Sequence, residues 1–304
     1  MRRLTRRQAL ACTAGGLAIL AGGAAAAVEL VSHGVLPGKS ILEQFDGACE
    51  VAPPQLEFGT VGPNVNGSFW SHARKREVGY TIGYPAGHGP GSTLPLVLMF
   101  HGYGGNHSNA LVGMTPAQAV SLHRFRRQLP PMALVTMDGG NGYWTPHPGD
   151  DPMAMLVEEL IPLCRSHGLG RPPHKIATMG ISMGGYGALL VAEKRPDLIA
   201  AVASISPAIW TNWWQASSAN PSAYASQATF DANNSVTHAW ALAGIPVRVA
   251  SGNDDPFKPG VQAFAAAAPR SVTVELSAGC HDGSFFIPQE PVSMFFLAEH
   301  ISAA

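Results

Sequence analysis

Residues 180–184 read Gly-Ile-Ser-Met-Gly and join two unlike stretches of chain. Residues 175–181, which lead in, are dominated by apolar side chains, as in a parallel strand whose sheet is covered on both faces. Residues 184–195, which lead out, carry a helical pattern. Lys194 and Arg195 fall near the helix's negative end, and Pro196 stops it. A strand that turns sharply into a helix lying on the same sheet leaves no room for side chains beside the turn. Gly180 and Gly184, followed by the small residues Gly185, Gly187 and Ala188, meet that demand. The pattern is the Gly-x-Ser-x-Gly elbow, which lifts a serine hydroxyl out at the carboxyl edge of the sheet. Ser182 is therefore the candidate nucleophile.

The rest of the chain supplies a sheet for that turn. Residues 78–84 alternate like a half-buried strand, and 94–100 form another apolar run. Further strands are expected at 132–137, 200–205, 246–250 and 271–276. Thr115-Pro116 reads as an N-cap and first turn of a helix to about 128. Asp150 and Asp151 open a helix to about 167, and 289–302 close the chain as a helix. Strands separated by helices imply right-handed crossovers and a mainly parallel, doubly wound sheet. Residues 28–67 read as an irregular lead-in, with a short strand near 56–61, and the catalytic domain as 68–304. Within it, 207–244 is long and rich in aromatic residues. It reads as a cap-like insertion forming a wall over the site.

A serine at neutral pH needs a base, and the base needs an acid to orient it. In this kind of sheet the order is Ser, acid, His, each on a loop after a strand. The loop after 246–250 holds Asp254 and Asp255; that after 271–276 holds Cys280-His281-Asp282. His281 is the candidate base. Asp255 is the candidate acid, with Asp254 as the alternative; Asp282, next to His281, is not placed for it. A developing oxyanion needs backbone donors. Met183 N–H at the helix start and Tyr103 N–H, in the loop His101-Gly102-Tyr103-Gly104-Gly105, are the candidates, with His101 holding the loop. Trp144, Trp210, Trp213 and Trp214 are candidates for an apolar pocket.

Composition excludes several classes. Of 304 residues 46% are hydrophobic and 13% charged, enough for a large core. The net charge is −1, but Arg2, Arg3, Arg6 and Arg7 lie in the first 27 residues, which hold no acid, so the body is more acidic still. That gives no basis for nucleic-acid binding. The clusters Arg74-Lys75-Arg76 and Arg124-Phe125-Arg126-Arg127 read as solvated surface. No Cys-x-x-Cys or His-Glu-x-x-His spacing is present, so neither a metal nor a cofactor is implied. Thr5-Arg6-Arg7-Gln8-Ala9-Leu10 resembles a twin-arginine export signal. An Ala/Gly-rich apolar run and Ala25-Ala26-Ala27 follow, so 1–27 is expected either to be cleaved or to stay as an anchor at the membrane or cell envelope. Past that segment lie Cys49, Cys164 and Cys280: one disulfide and a free thiol, or three free thiols.

Residues 180–189, Gly-Ile-Ser-Met-Gly-Gly-Tyr-Gly-Ala-Leu, are similar to the esterase D family of α/β-hydrolases. That family includes tributyrin-type esterases, S-formylglutathione hydrolases and mycolyltransferases. Ser68-Phe69-Trp70-Ser71, Glu159-Leu160-Ile161-Pro162 and Asp255-Pro256-Phe257 also resemble it, and 94–106 looks like its polyester depolymerase and feruloyl esterase branch. The resemblance runs from about residue 68 to the C-terminus. It implies an α/β-hydrolase fold, a Ser182–His281–Asp255 triad, and hydrolysis of small-molecule or lipid esters of short to medium acyl chain. The alternatives are acyl transfer to an envelope sugar or lipid, and a binding protein that keeps the fold without catalysis. An export signal does not fit a cytoplasmic S-formylglutathione hydrolase, and no sugar-binding residues of the mycolyltransferases are matched.

Overall fold

The computed structural model describes Cys49, residues 55–124 and residues 127–301. The expectations for 1–27, and for 28–54 apart from Cys49, lie outside those residues. In chain order the elements are β1 (Glu57–Phe58), β2 (Val61–Ser71), β3 (Arg76–Pro85), β4 (Leu96–Phe100), α1 (Pro116–Ala119), β5 (Leu122–Arg124), β6 (Arg127–Gln128) and β7 (Ala133–Met137). A helical run α2 follows, made of Pro152–Ala154, a π-helical Met155–Leu160 and Ile161–Ser166. Then come β8 (Ile176–Ile181), α3 (Met183–Lys194), β9 (Ile199–Ile205), α4 (Trp213–Ala219), α5 (Gln227–Ala232) and α6 (Ser235–His238), the last with a 3-10 turn at Ala239–Leu242. The chain continues with β10 (Val247–Gly252), α7 (Lys258–Ala267), β11 (Val272–Ser277) and α8 (Gly283–Ile301).

Eight strands form one sheet in the order β11-β10-β9-β8-β4-β7-β3-β2. The six from β11 to β7 are mutually parallel, and β3 and β2 add an antiparallel hairpin at the edge. Both faces are covered. Along β4, Leu96, Leu98 and Phe100 join the core made with α2 and α3, while Val97 and Met99 join the core made with α1 and α8. Period-two alternation thus divides one wholly buried strand between two cores. This is the α/β-hydrolase fold.

Several local readings change. Strand β2 crosses residue 68, so the lead-in does not end there; it hairpins with β3 over most of its length. The helix expected to run to 128 stops at Ala119. Leu122 and His123 instead pair with Phe58 and Glu57 in a small antiparallel sheet. Their partners lie more than sixty residues away, so the local pattern carries no trace of the pairing. In α2, Pro162 has no N–H for the carbonyl four residues back, and the preceding turn widens, with the Ile161 N–H bonding to Leu156. Arg74, expected on the surface, is buried. Its Nε and Nη2 grip the Asp150 carboxylate at 2.6 and 3.0 Å, and Nη1 donates to the Asp138 carbonyl at 2.6 Å. Trp144, expected in a pocket, is wholly buried core. It meets Phe100 edge-on at 4.7 Å and occupies the space a side chain at Gly139 or Gly187 would need.

Residues 207–244 fold as short helices packed beside α3, not as a roof. Tyr186 on α3 donates to the Asn233 carbonyl at 2.5 Å, and Lys194 donates to the Ala232 carbonyl at 2.7 Å. Tyr224 packs among Tyr143, Tyr186 and Phe230.

Two buried carboxyls lie in these cores. Desolvation pushes Glu193, at the end of α3, up to about 7, the Ser235 hydroxyl offsetting part of the effect. Desolvation pushes Glu290, on α8, up to about 8, although Oε1 accepts the Val112 N–H at 2.7 Å. Both hold a proton in the native state that the unfolded chain releases near 4.5. Their contribution to stability is therefore complete below 4.5 and declines as pH rises, through about 7 for Glu193 and about 8 for Glu290. Urea unfolding followed across that range should show stability falling with pH. Glu290→Gln and Glu193→Gln should each flatten the slope, Glu290→Gln over the wider window.

Candidate active site

Ser182 has φ 58° and ψ −122°, a conformation that L-residues rarely adopt. It is held there on all sides. Its N–H donates to the Ile205 carbonyl at 2.9 Å, and its own carbonyl accepts the N–H groups of Tyr186 and Ala208, each at 3.0 Å. A Cβ at Gly180 would collide with the Gly184 carbonyl, and one at Gly184 with the Phe100 carbonyl. The two glycines let strand, helix and neighbouring strand close up beneath the serine.

The loops after β10 and β11 bring the other groups to it. His281 Nε2 lies 2.8 Å from Ser182 Oγ, and His281 Nδ1 lies 2.9 Å from Asp255 Oδ2. Asp255 is buried, and its second oxygen accepts the Phe257 N–H at 2.8 Å. Both carboxylate oxygens thus meet donors, which sets the imidazole tautomer with its proton on Nδ1 and its lone pair facing the serine. Asp254 does not reach the histidine; its N–H bonds to the Gly279 carbonyl. Asp282 opens α8, its carboxylate accepting the Ser284 N–H at 2.9 Å and the Ser284 hydroxyl at 2.6 Å. The His281 ring lies between Phe257 and Phe286, each centroid 5.1 Å away. Phe257 enters the sequence reading only as part of the Asp255-Pro256-Phe257 segment, and Phe286 not at all, since single aromatic residues near a motif carry no periodic signal.

Cys280, next to His281, is disulfide-bonded to Cys49, and the Ser284 hydroxyl donates to the Cys49 carbonyl at 2.9 Å. Cys164 is the free thiol, buried, with burial pushing it up to about 12. Of the two cysteine arrangements open in the sequence, the structure takes the first.

Met183 N–H begins α3, where no intrahelical carbonyl can reach it. Tyr103 N–H finds no acceptor among the described residues. Between them they leave two donors free beside Ser182. His101 is buried and its pKa is lowered by desolvation. Its Nε2 accepts the Gly139 N–H at 2.9 Å, so its proton sits on Nδ1 and is donated to the Gly102 carbonyl at 2.7 Å. It holds the loop, as expected.

A cavity of about 460 Å³ opens at Ser182 and His281. Its apolar wall comes from Ala110, Val112, Ile181 and Phe286. None of the four tryptophans lines it. Trp144 is core. Trp210 packs on Phe257 and so stands one ring away from His281, Trp213 packs on Phe230, and Trp214 is exposed. The wall residues, three aliphatic and one aromatic, come from a loop, a strand end and a helix, so no local pattern marks them. Among the described residues no cluster of His, Cys, Asp and Glu is arranged to hold a metal, and no helix is long and apolar enough to cross a membrane.

A family model named Esterase matches residues 71–274, two thirds of the chain. Among solved structures, a ferulic acid esterase is 18% identical, with a TM-score of 0.64, covering 79% of this chain and 98% of its own. The S-formylglutathione hydrolase of Agrobacterium tumefaciens is 18% identical with a TM-score of 0.62, covering 81% and 98%. MPT51 of Mycobacterium tuberculosis is 15% identical with a TM-score of 0.56, covering 82% and 99%. At these identities the likeness is one of fold. A search of curated proteins returned no match.

The disulfide closes a loop of most of the chain, its partners being 231 residues apart. Cys49→Ser, or reduction of the native protein, should lower unfolding stability by about 2–4 kcal/mol in urea titrations. Cys164→Ser under oxidising conditions should leave the reductant sensitivity intact.

Proposed function

The chain belongs to the Esterase family, and from that premise we propose that it is an exported serine carboxylesterase working through Ser182, His281 and Asp255. The observation that carries this reading is the unbroken hydrogen-bonded line Ser182–His281–Asp255 at 2.8 and 2.9 Å, opening on an apolar-walled cavity.

In this mechanism Ser182 Oγ attacks the ester carbonyl carbon as His281 Nε2 takes its proton. The carbonyl oxygen becomes an oxyanion and accepts from Met183 and Tyr103 N–H. Backbone donors of this kind need no reorganisation as charge develops. Asp255 stabilises the imidazolium through Nδ1. Collapse of the tetrahedral centre breaks the ester C–O bond, and the leaving alcohol takes the proton from His281. Water then attacks the acyl-enzyme by the same route, releasing the acid and restoring Ser182. The residues that line the cavity suit a short to medium acyl chain against Ala110, Val112, Ile181 and Phe286. Protein groups supply every charge the reaction needs.

Export is proposed from Arg6-Arg7 and the apolar run after it. The Cys49–Cys280 bond supports that location, since disulfides persist in oxidising compartments. Replacing Arg6 and Arg7 together by lysine should leave the protein in the cytoplasm, as read by fractionation and immunoblotting. Export undiminished by the change would remove the twin-arginine reading.

Hydrolysis of p-nitrophenyl esters from acetate to palmitate tests the chemistry. The wild type should favour the shorter chains. Ser182→Ala should lower kcat by about 10⁶, and Asp255→Asn by about 10⁴ through loss of the correct tautomer. Asp254→Asn should stay near wild type. Product analysis with an added acceptor alcohol separates hydrolysis from acyl transfer: free acid as the main product supports the esterase, and a transferred ester supports a transferase. No turnover of any ester, together with no labelling of Ser182 by a phosphonate, would favour a binding protein.

A further inference from the structure

We propose that Asn141 is a positioning residue for the oxyanion donor on Tyr103. The proposal rests on the esterase reading above and concerns how its electrophile-binding side is held.

The loop Gly102–Gly105 leaves the end of β4 at the surface. Tyr103, which offers the candidate N–H, has an exposed side chain, so packing does not hold it. Backbone hydrogen bonds must do so. Gly105 N–H closes a turn onto the Gly102 carbonyl at 3.0 Å, and His101 Nδ1 meets that same carbonyl at 2.7 Å. The amide immediately after the donor, Gly104 N–H, donates to Asn141 Oδ1 at 2.8 Å. Gly104 has φ +75°, a region where glycine is soft, so without an external acceptor the Tyr103–Gly104 peptide has little to fix its plane. Holding that plane sets Tyr103 ψ and Gly104 φ, and with them the path of the loop that carries the Tyr103 N–H.

Asn141 lies between Gly140 and Gly142, and the chain beyond these two glycines is held on both sides. Before it, the Asp138 carbonyl accepts from the buried Arg74, and the Asp138 carboxylate accepts the N–H groups of Gly79 at 3.0 Å and His107 at 2.8 Å. Gly139 N–H is fixed to His101. After it, Tyr143 and Trp144 are buried, both in the left-handed region, and Thr145 N–H bonds to the Gly142 carbonyl at 3.0 Å. An exposed asparagine between two such anchors is a fixed acceptor aimed at the oxyanion loop. Asn141 does not line the cavity, so it acts through the loop and not on the substrate.

The test is steady-state kinetics of wild type, Asn141→Ala and Ser182→Ala on p-nitrophenyl acetate, butyrate and octanoate, with thermal melts of each. An exposed asparagine can be removed without disturbing the core, so the melting temperature of Asn141→Ala should match wild type. Its kcat should fall about tenfold to a hundredfold, less than the ~10²–10³ that loss of a whole oxyanion donor costs, with KM unchanged. The loss should be the same for all three acyl chains, because every ester develops the same oxyanion. Inactivation by a phosphonate, which mimics that oxyanion, should slow by the same factor. Wild-type kcat in Asn141→Ala beside an inactive Ser182→Ala overturns the positioning role alone. So does a loss that appears in KM, grows with chain length or follows a lowered melting temperature. Full activity in Ser182→Ala overturns the esterase reading and this proposal with it.

Discussion

The carbonyl of Phe100 lies where a side chain at residue 184 would have to be. That close approach brings the start of α3 against the end of β4, and the rest of the site depends on it. β4 and β8 pair in register as far as Phe100 and Gly180, so the loop leaving β4 and the turn leaving β8 emerge side by side. One offers Tyr103 N–H, the other Ser182 Oγ and Met183 N–H. A bulkier residue at 184 would separate the two donors from each other and from the hydroxyl. Sheet register and one missing side chain thus set how near the Ser182 hydroxyl lies to the Tyr103 and Met183 N–H groups.

The parallel strands carry the argument further. β8, β10 and β11 deliver serine, acid and histidine at the same edge because parallel strands end at the same edge. Asp255 then has to be buried to reach Nδ1, and burial of a carboxylate is tolerable only when it is well supplied with donors. Phe257 N–H and the imidazole together meet that condition. The same phenylalanine packs on His281 and on Trp210, so the residue that completes the carboxylate's hydrogen bonding also shields the imidazole from water.

What was legible in the sequence was what is repeated locally. The apolar runs at 94–100 and 175–181 mark β4 and β8 because central strands need apolar side chains on both faces. The elbow and the post-strand loops then point to Ser182, Asp255 and His281 in that order, and these are the side chains that lie within hydrogen-bond reach of one another. What was not legible depends on contacts far along the chain. Leu122 and His123 abandon a helical pattern for partners at Phe58 and Glu57. Arg74 looks like surface until Asp150 and the Asp138 carbonyl are brought to it. Trp144 looks like a pocket wall because an aromatic near a site usually suggests one; its place in the core is decided by the missing side chains at Gly139 and Gly187. The aromatic stretch 207–244 looks like a cap for the same reason. Yet Tyr224 packs on Tyr143 and Tyr186, Trp213 and Tyr224 pack on Phe230, Trp214 and Trp240 are exposed, and Trp210 alone of its rings meets Phe257 beside His281.

The two halves of the site are held by different physics. On the β4 side the loop is fixed by hydrogen bonds: His101 with Gly102 and Gly139, Asn141 with Gly104, and behind them the Arg74–Asp150 pair. Those bonds are short in reach, and each fixes one peptide plane, which suits donors whose direction matters more than their surroundings. On the base side, His281 is fixed by a covalent bond beside it, Cys280 to Cys49, and by two aromatic rings. Ring contacts fix where the imidazole lies without occupying either nitrogen, so Nε2 stays 2.8 Å from Ser182 Oγ and Nδ1 stays 2.9 Å from Asp255 Oδ2.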